Sequence, residues 1–223
     1  MATYRKLVFV NGGFYHAFNR GIEKRDVFTN RRELSRAKEL LKFYQYKEIP
    51  LRYSRFRILS KDKQQKLWKI IVDGCKNVEV ISFCLMPNHF HFLLKQLEDR
   101  GVANFVANFT NAYTKFFNTR HARIGPLFEG VFKAVYVESD EQLIHLSRYI
   151  HLNPVVSSLI DISQLESYGW SSYPEYILKE NDNIIESKPV IDLFKNTAEY
   201  KNFVLDQVSY ARELEKIKHK ALE

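Results

Sequence analysis

Cys84-Leu85-Met86-Pro87-Asn88-His89-Phe90-His91-Phe92-Leu93-Leu94 decides how this chain is read. Met86-Pro87-Asn88 is a turn signal, and the apolar run that follows it has the character of a β-strand. Side chains alternate along a strand. His89 and His91 therefore share one face with Leu93 and Lys95, while Phe90, Phe92 and Leu94 point the other way, into a core. Two imidazoles backed by a greasy face make a platform for one divalent metal ion. The same spacing also fits two hydrogen-bonded sheet histidines, so the neighbouring segments carry weight.

Working outward, Val78–Cys84 is rich in β-branched residues and reads as the strand to which the histidine strand returns as an antiparallel hairpin. Downstream, a helix is expected from about Gly101 to Asn118. Phe105, Phe109, Ala112 and Phe116 form its apolar stripe, widened by Tyr113 and Phe117, and Asn104, Asn108 and Asn111 share another face. A basic connection with Arg120, His121 and Arg123 leads to a strand over Val131–Val137. Ser139 with Gln142 forms a capping box that opens a helix from Asp140 to about Leu152, stopped by Pro154. Leu143, Leu146, Ser147 and Ile150 form its buried side. Gln142, His145, Tyr149 and, one turn on, Asn153 form a different side, although a residue before proline is biased out of the helix.

Upstream, Phe14–Asn19 reads as a strand closed by Arg20-Gly21, and the following loop carries Arg20, Lys24 and Arg25. Asn30 with Glu33 is a second capping box, for a helix through Leu34, Ala37, Leu40 and Leu41 to about Tyr44. Residues 45–63 form an insert in which Arg52-Tyr53-Ser54-Arg55-Phe56-Arg57 interleaves cations with aromatics. Two readings stand there: a phosphate-tracking, base-stacking surface, or an excursion whose aromatics plug back onto the domain. A short helix, from Lys63 to about Asp73, follows it.

The order strand, helix, insert, strand, strand, helix, strand, helix is a split βαβ, ferredoxin-like pattern. The expected fold is α+β, an antiparallel sheet with helices gathered on one face and the histidine pair on the other. Residues 1–156 form this domain. Residues 157–223 form a mostly helical extension ending in a charged amphipathic helix over 197–222, with Tyr200, Phe203, Val204, Val208, Ala211, Leu214 and Ile217 along one side.

Composition narrows the function. A formal charge of +8 favours a polyanionic partner, nucleic acid first. No apolar run is long enough to span a bilayer and the N-terminus has no secretory h-region, so the expectation is a cytoplasmic, bacterial cytosolic or nucleoid protein with no membrane partner. The two cysteines, Cys75 and Cys84, have neither metal nor redox spacing and fit a reducing compartment.

Five blocks occur in one order: Tyr15-His16-x-x-Asn19-Arg20-Gly21, Met86-Pro87-Asn88-His89-Phe90-His91-Phe92-Leu93-Leu94, Gly125-Pro126-Leu127-Phe128-Glu129-Gly130-x-Phe132-Lys133, Arg148-Tyr149-Ile150-His151-Leu152-Asn153-Pro154 and Trp170-Ser171-Ser172. Together they resemble the REP-associated tyrosine transposases, part of the HUH single-tyrosine, single-strand transposase superfamily, over about residues 14–176. The resemblance implies that a tyrosine hydroxyl attacks a phosphodiester of single-stranded DNA, leaving a 5′-phosphotyrosine link and a free 3′-hydroxyl that can later rejoin. Tyr149 is then the nucleophile, and His89, His91 and Asn153 are the metal ligands.

Ligand softness at two imidazoles suits zinc, iron or manganese, whereas the resemblance implies Mg2+ or Mn2+. The implied partner is single-stranded or hairpin DNA, bound by a monomer or a homodimer. Arg20, Lys24, Arg25, Arg120, Arg123, Lys133 and Arg148 are the candidate DNA-binding cations. A domesticated hairpin-specific nickase, and a non-enzymatic nucleic-acid-binding module on the same sheet, stand as alternatives.

Overall fold

The histidine strand is an inner strand of a four-stranded antiparallel sheet. In the computed structural model, which describes residues 7–178 and 183–207, the strands are β1 (Phe14–Arg20), β2 (Val78–Met86), β3 (His89–Gln96) and β4 (Lys133–Val137), in the order β2-β3-β1-β4. That is the ferredoxin-like order, reached by two crossovers. One runs from β1 to β2 through α1 (Arg31–Phe43), α2 (Tyr53–Phe56) and α3 (Lys61–Val72). The other runs from β3 to β4 through α4 (Gly101–Arg120).

Strand alternation divides the core in two. Tyr15 and Ala17 of β1, Val80, Phe83 and Leu85 of β2, and Phe90, Phe92 and Leu94 of β3 meet Leu40 and Leu41 of α1 and Phe105, Phe109 and Tyr113 of α4. The aromatic stripe of α4 is therefore core, and Phe90, Phe92 and Phe109 pack ring against ring. These two crossover helices share one face, as expected. The other face is only half open. α5 (Asp140–Val156) covers its β2 and β3 side, because Leu143, Ile150 and Val155 pack on Ile81, Cys84 and Leu93.

The extension thickens that layer. Residues 162–167 form a 3-10 turn, followed by α6 (Tyr173–Ile177), α7 (Lys188–Ile191) and α8 (Thr197–Leu205). Tyr173, Tyr176, Tyr200 and Val204 are buried in the same cluster as α5. Of the expected helix over 197–222, α8 is seen, Asp206 and Gln207 form a turn after it, and 208–222 lies outside the described residues.

Two local expectations change in detail, and the insert resolves to one of its two readings. Asn30 caps α1 by accepting from the Glu33 amide, but the Glu33 carboxylate accepts from Thr29, and from His121 at 2.7 Å, instead of from the Asn30 backbone amide that would close the box. Burial raises the pKa of that carboxyl, and the hydrogen bonds from His121, Thr29 and Asn30 outweigh it and hold it below the usual range. The insert follows the second of its two readings: Tyr53 and Phe56, together with Trp68 of α3, pack around the Phe43 ring with centroids at 5.0, 5.2 and 6.2 Å, so its aromatics plug back while Arg52, Arg55 and Arg57 stay exposed. Finally, α5 does not stop at Pro154 but runs on to Val156. Proline removes one helical hydrogen bond, and full burial of Val155 keeps the last turn helical in spite of it.

Candidate active site

The site lies at the β1–β3 end of the sheet, under α5. In the register, His89 faces Arg20 and Met86, and His91 faces Phe18 and Cys84. One strand further, Phe18 pairs with Lys133 and His16 with Val135. His91, Phe18 and Lys133 thus form one row across the histidine face, and His16 stands diagonally next to His91. His16 and His91 share a hydrogen bond, Nε2 to Nδ1, at 2.9 Å. His89 uses its own Nδ1 on the Asn88 side-chain oxygen at 2.6 Å. Asn88 is held in turn, since its amide donates to the Lys24 carbonyl and its carbonyl accepts from Gly21 N. A Cβ at Gly21 would collide with the Arg25 carbonyl, so only glycine lets the β1 loop approach this closely.

α5 brings the remaining groups. The continued helix places Asn153 one turn beyond Tyr149, and its amide donates to the Tyr149 carbonyl at 3.0 Å. The Asn153 side chain also lies near enough to that of His89 to raise its pKa against the effect of burial. Tyr149 sets its ring edge-on to His91 and His16, with centroids 5.4 and 6.1 Å apart. It is 49% exposed. Among the described tyrosines only Tyr136, at 41%, is comparably open. A single chain therefore brings Tyr149, His89, His91 and Asn153 together.

The electrostatics favour neutral rings. Burial lowers His16 and His89 to about 4 and His91 well below the usual histidine range, and the Arg20 charge adds to the effect at His89 and His91. A neutral imidazole is the form that binds a metal. Among the described residues, no group of three or more His, Cys, Asp or Glu side chains is placed to hold a metal ion. The donors that do converge are two imidazoles and an amide oxygen. His89 and Asn153 lie near each other, and His91 has its Nδ1 engaged elsewhere, which leaves Nε2 as its free donor. This set fits a divalent ion that takes further oxygen ligands from water or phosphate.

The candidate cations separate into two groups. Arg20, Lys24 and Lys133 are exposed around the histidine face or the loop beside it. Arg25 is in the same loop and pairs with Glu23 at 3.0 Å. The others are engaged internally. Arg120 approaches Glu33 at 3.5 Å, behind the sheet. Arg123 donates to Asn118 and the Pro126 carbonyl. Arg148 stacks on Phe203 at 4.2 Å and donates to the Phe203 carbonyl and to His145.

Sequence reasoning missed His16 and Asn88 as site residues. Both stand in quoted blocks, and alternation puts His16 on the face of Phe18 and Arg20. What was lacking is the β1–β3 register that sets it against His91.

Fold and site define a class: a ferredoxin-like sheet whose histidine pair is met by a tyrosine from the helix after its last strand. A family model described as transposase IS200-like matches residues 40–153, more than half of the 223 residues. The chain belongs to that family. The match runs from α1 through Asn153 and leaves out β1 with His16. No curated protein matches the chain. Among solved structures, that of a REP-associated tyrosine transposase bound to a REP hairpin is 16% identical, with a TM-score of 0.51 over 87% of this chain and 96% of that one. The likeness is one of fold. No helix among the described residues is long and apolar enough to cross a membrane.

Proposed function

We propose that the protein is a metal-dependent DNA strand transferase, which cleaves and rejoins single-stranded DNA beside a hairpin through a 5′-phosphotyrosine intermediate on Tyr149. The observation that carries this reading is the exposed Tyr149 ring set against His91 and His16 within one chain, one helical turn from an Asn153 that reaches His89.

In this reading His89, His91 and Asn153 would hold Mg2+ or Mn2+, which when bound would supply Lewis-acid charge to the scissile phosphate. Tyr149 Oη attacks the phosphorus. The bond from phosphorus to the 3′-oxygen breaks, the phenolic proton passes to solvent and the departing 3′-oxygen takes one up. A later 3′-hydroxyl attacks the phosphotyrosine and restores the phenol. One phosphoester bond is exchanged for another at each step, so no ATP is needed. His16 and Asn88 act as positioning residues by fixing the tautomer and tilt of His91 and His89. Arg20, Lys24, Arg25 and Lys133 hold the backbone near the histidine face, Arg123 and Arg148 reach DNA only by exchanging their internal partners, and Arg120 faces the α1–α4 layer instead of this face.

The test is incubation of the full chain with end-labelled hairpin DNA carrying single-stranded flanks, with Mn2+ and without. A covalent protein–DNA adduct that needs the ion and is absent in Tyr149→Phe is the expected result. An undiminished adduct in that variant overturns the assignment of the nucleophile.

A further inference from the structure

The helical layer carries a second basic feature that the site above does not use. A groove of about 1090 Å³ lies between α1, α4 and the chain over 49–54 of the insert. Arg32 and Arg36 line it from α1, Arg52 from the insert, and Lys115 and Arg120 from α4. Among the described residues no carboxylate lines it. Arg36 and Arg120 have acidic partners behind the wall, Glu39 and Glu33, whereas no ion pair to Arg32, Arg52 or Lys115 is present among the described residues. Cations one helical turn apart, such as Arg32 and Arg36, repel each other, and concentrating them in a concavity focuses the field on an anion.

The groove floor says what kind of anion fits. The rings that could stack on bases are taken: the Arg36 guanidinium lies over Phe116 at 4.5 Å and Tyr53 at 5.2 Å. Asn108 and Asn111, the amide row of α4, open into the same groove and offer donors suited to phosphate and sugar oxygens. A ligand whose bases are already stacked on each other and which presents only its backbone matches this lining.

The groove also has a connection to the catalytic end. β1 ends at Arg20 opposite His89, its loop carries Lys24 and Arg25, and α1 begins at Arg31. Glu33, in the first turn of α1, holds Arg120 and His121 at the end of α4. The histidine face and the groove therefore meet at the same end of the sheet, where β1 ends, α1 begins and α4 ends.

We propose that the groove between α1, α4 and the insert binds the sugar–phosphate backbone of duplex DNA, the stem adjoining the single strand at Tyr149, without reading its sequence. The assignment of the stem rests on the proposed function above. The experiment compares the wild-type full chain with Arg32→Gln/Arg52→Gln/Lys115→Gln, in fluorescence-anisotropy titrations of a labelled DNA hairpin without metal, across a salt series. Each lost phosphate contact lowers the slope of log K against log salt by about 0.9. The triple variant is expected to lose about 2.7 of the slope, so that its affinity loss between 50 and 200 mM salt is about fortyfold smaller than that of the wild type. A stemless single strand is expected to give the same slope with both proteins.

Equal slopes on the hairpin overturn the proposal. A slope loss confined to the single strand overturns the duplex assignment. If the triple variant melts below the wild type, Lys115→Gln alone, with an expected decrement of about 0.9, decides. Binding is read without cleavage, so a hairpin bound with the expected slopes but never cut overturns the strand-transferase reading and leaves the groove standing. Cleavage with equal slopes does the reverse.

Discussion

Replacing His16 by alanine tests how the histidine face is held. His16 is mostly buried, is neutral near pH 7 because burial lowers it to about 4, and engages His91 Nδ1 at 2.9 Å. Its removal frees His91 to rotate and leaves a buried ring nitrogen without a partner. Outer partners of metal-binding histidines are worth about 10- to 100-fold in metal affinity, which is about 1.4–2.7 kcal/mol. The unpaired nitrogen costs stability of a similar order, about 1–3 kcal/mol. The assay is calorimetric titration of the full chain with Mn2+, alongside the metal dependence of adduct formation and a urea melt. We expect His16→Ala to raise the Mn2+ Kd by about 10- to 100-fold. His16→Gln, which offers an amide in place of the ring nitrogen, should recover part of the loss. A folded His16→Ala protein with wild-type Mn2+ affinity and an unshifted metal-dependence curve refutes the argument that the His16–His91 bond orients the site.

Two further outcomes follow from the layer behind Tyr149. Tyr200 bonds His151 Nδ1 at 2.8 Å and Ser147 Oγ at 3.1 Å, tying α8 to the buried side of α5, so Tyr200→Phe is expected to lower unfolding free energy by about 1–3 kcal/mol; an unchanged urea midpoint contradicts this. His151 is fully buried and its pKa falls from 6.5 to about 3 on burial, so between those values the unfolded chain binds the extra proton. Stability is therefore fully present above about pH 6.5 and is lost on acidification, by about 2 kcal/mol from this group at pH 5, with His16 and His89 adding in the same direction. A denaturation midpoint that rises between pH 7 and pH 5 would be the opposite sign.

Much of this protein was legible in its residues because it depends on local periodicity. Alternation along His89–Leu94 separates the histidines from Phe90 and Phe92, and that separation holds in the sheet. The 3-4 spacing of α5 turns Tyr149 away from Leu143 and Ile150, and those two are buried while Tyr149 is open. Asn30 and Ser139 announce helix starts by their side-chain chemistry, and both cap, although neither reciprocal box closes: the Glu33 carboxylate turns to Thr29 and His121, and the Gln142 side chain accepts from the Glu138 amide.

What periodicity does not contain is the pairing of distant segments. The order β2-β3-β1-β4 and the β1–β3 register, which set His16 against His91 across 75 positions of chain, come from closing the whole sheet. The continuation of α5 through Pro154 was decided by burial of Val155, against the local bias of the residue before proline. It is this turn that keeps Asn153 beneath Tyr149. The half-covered histidine face has the same origin: α5 and the extension bury apolar side chains that only the folded sheet offers them. The basic groove is likewise tertiary, since Arg32, Arg52 and Lys115 lie on three separate segments and share a concavity only once α1, the insert and α4 have packed.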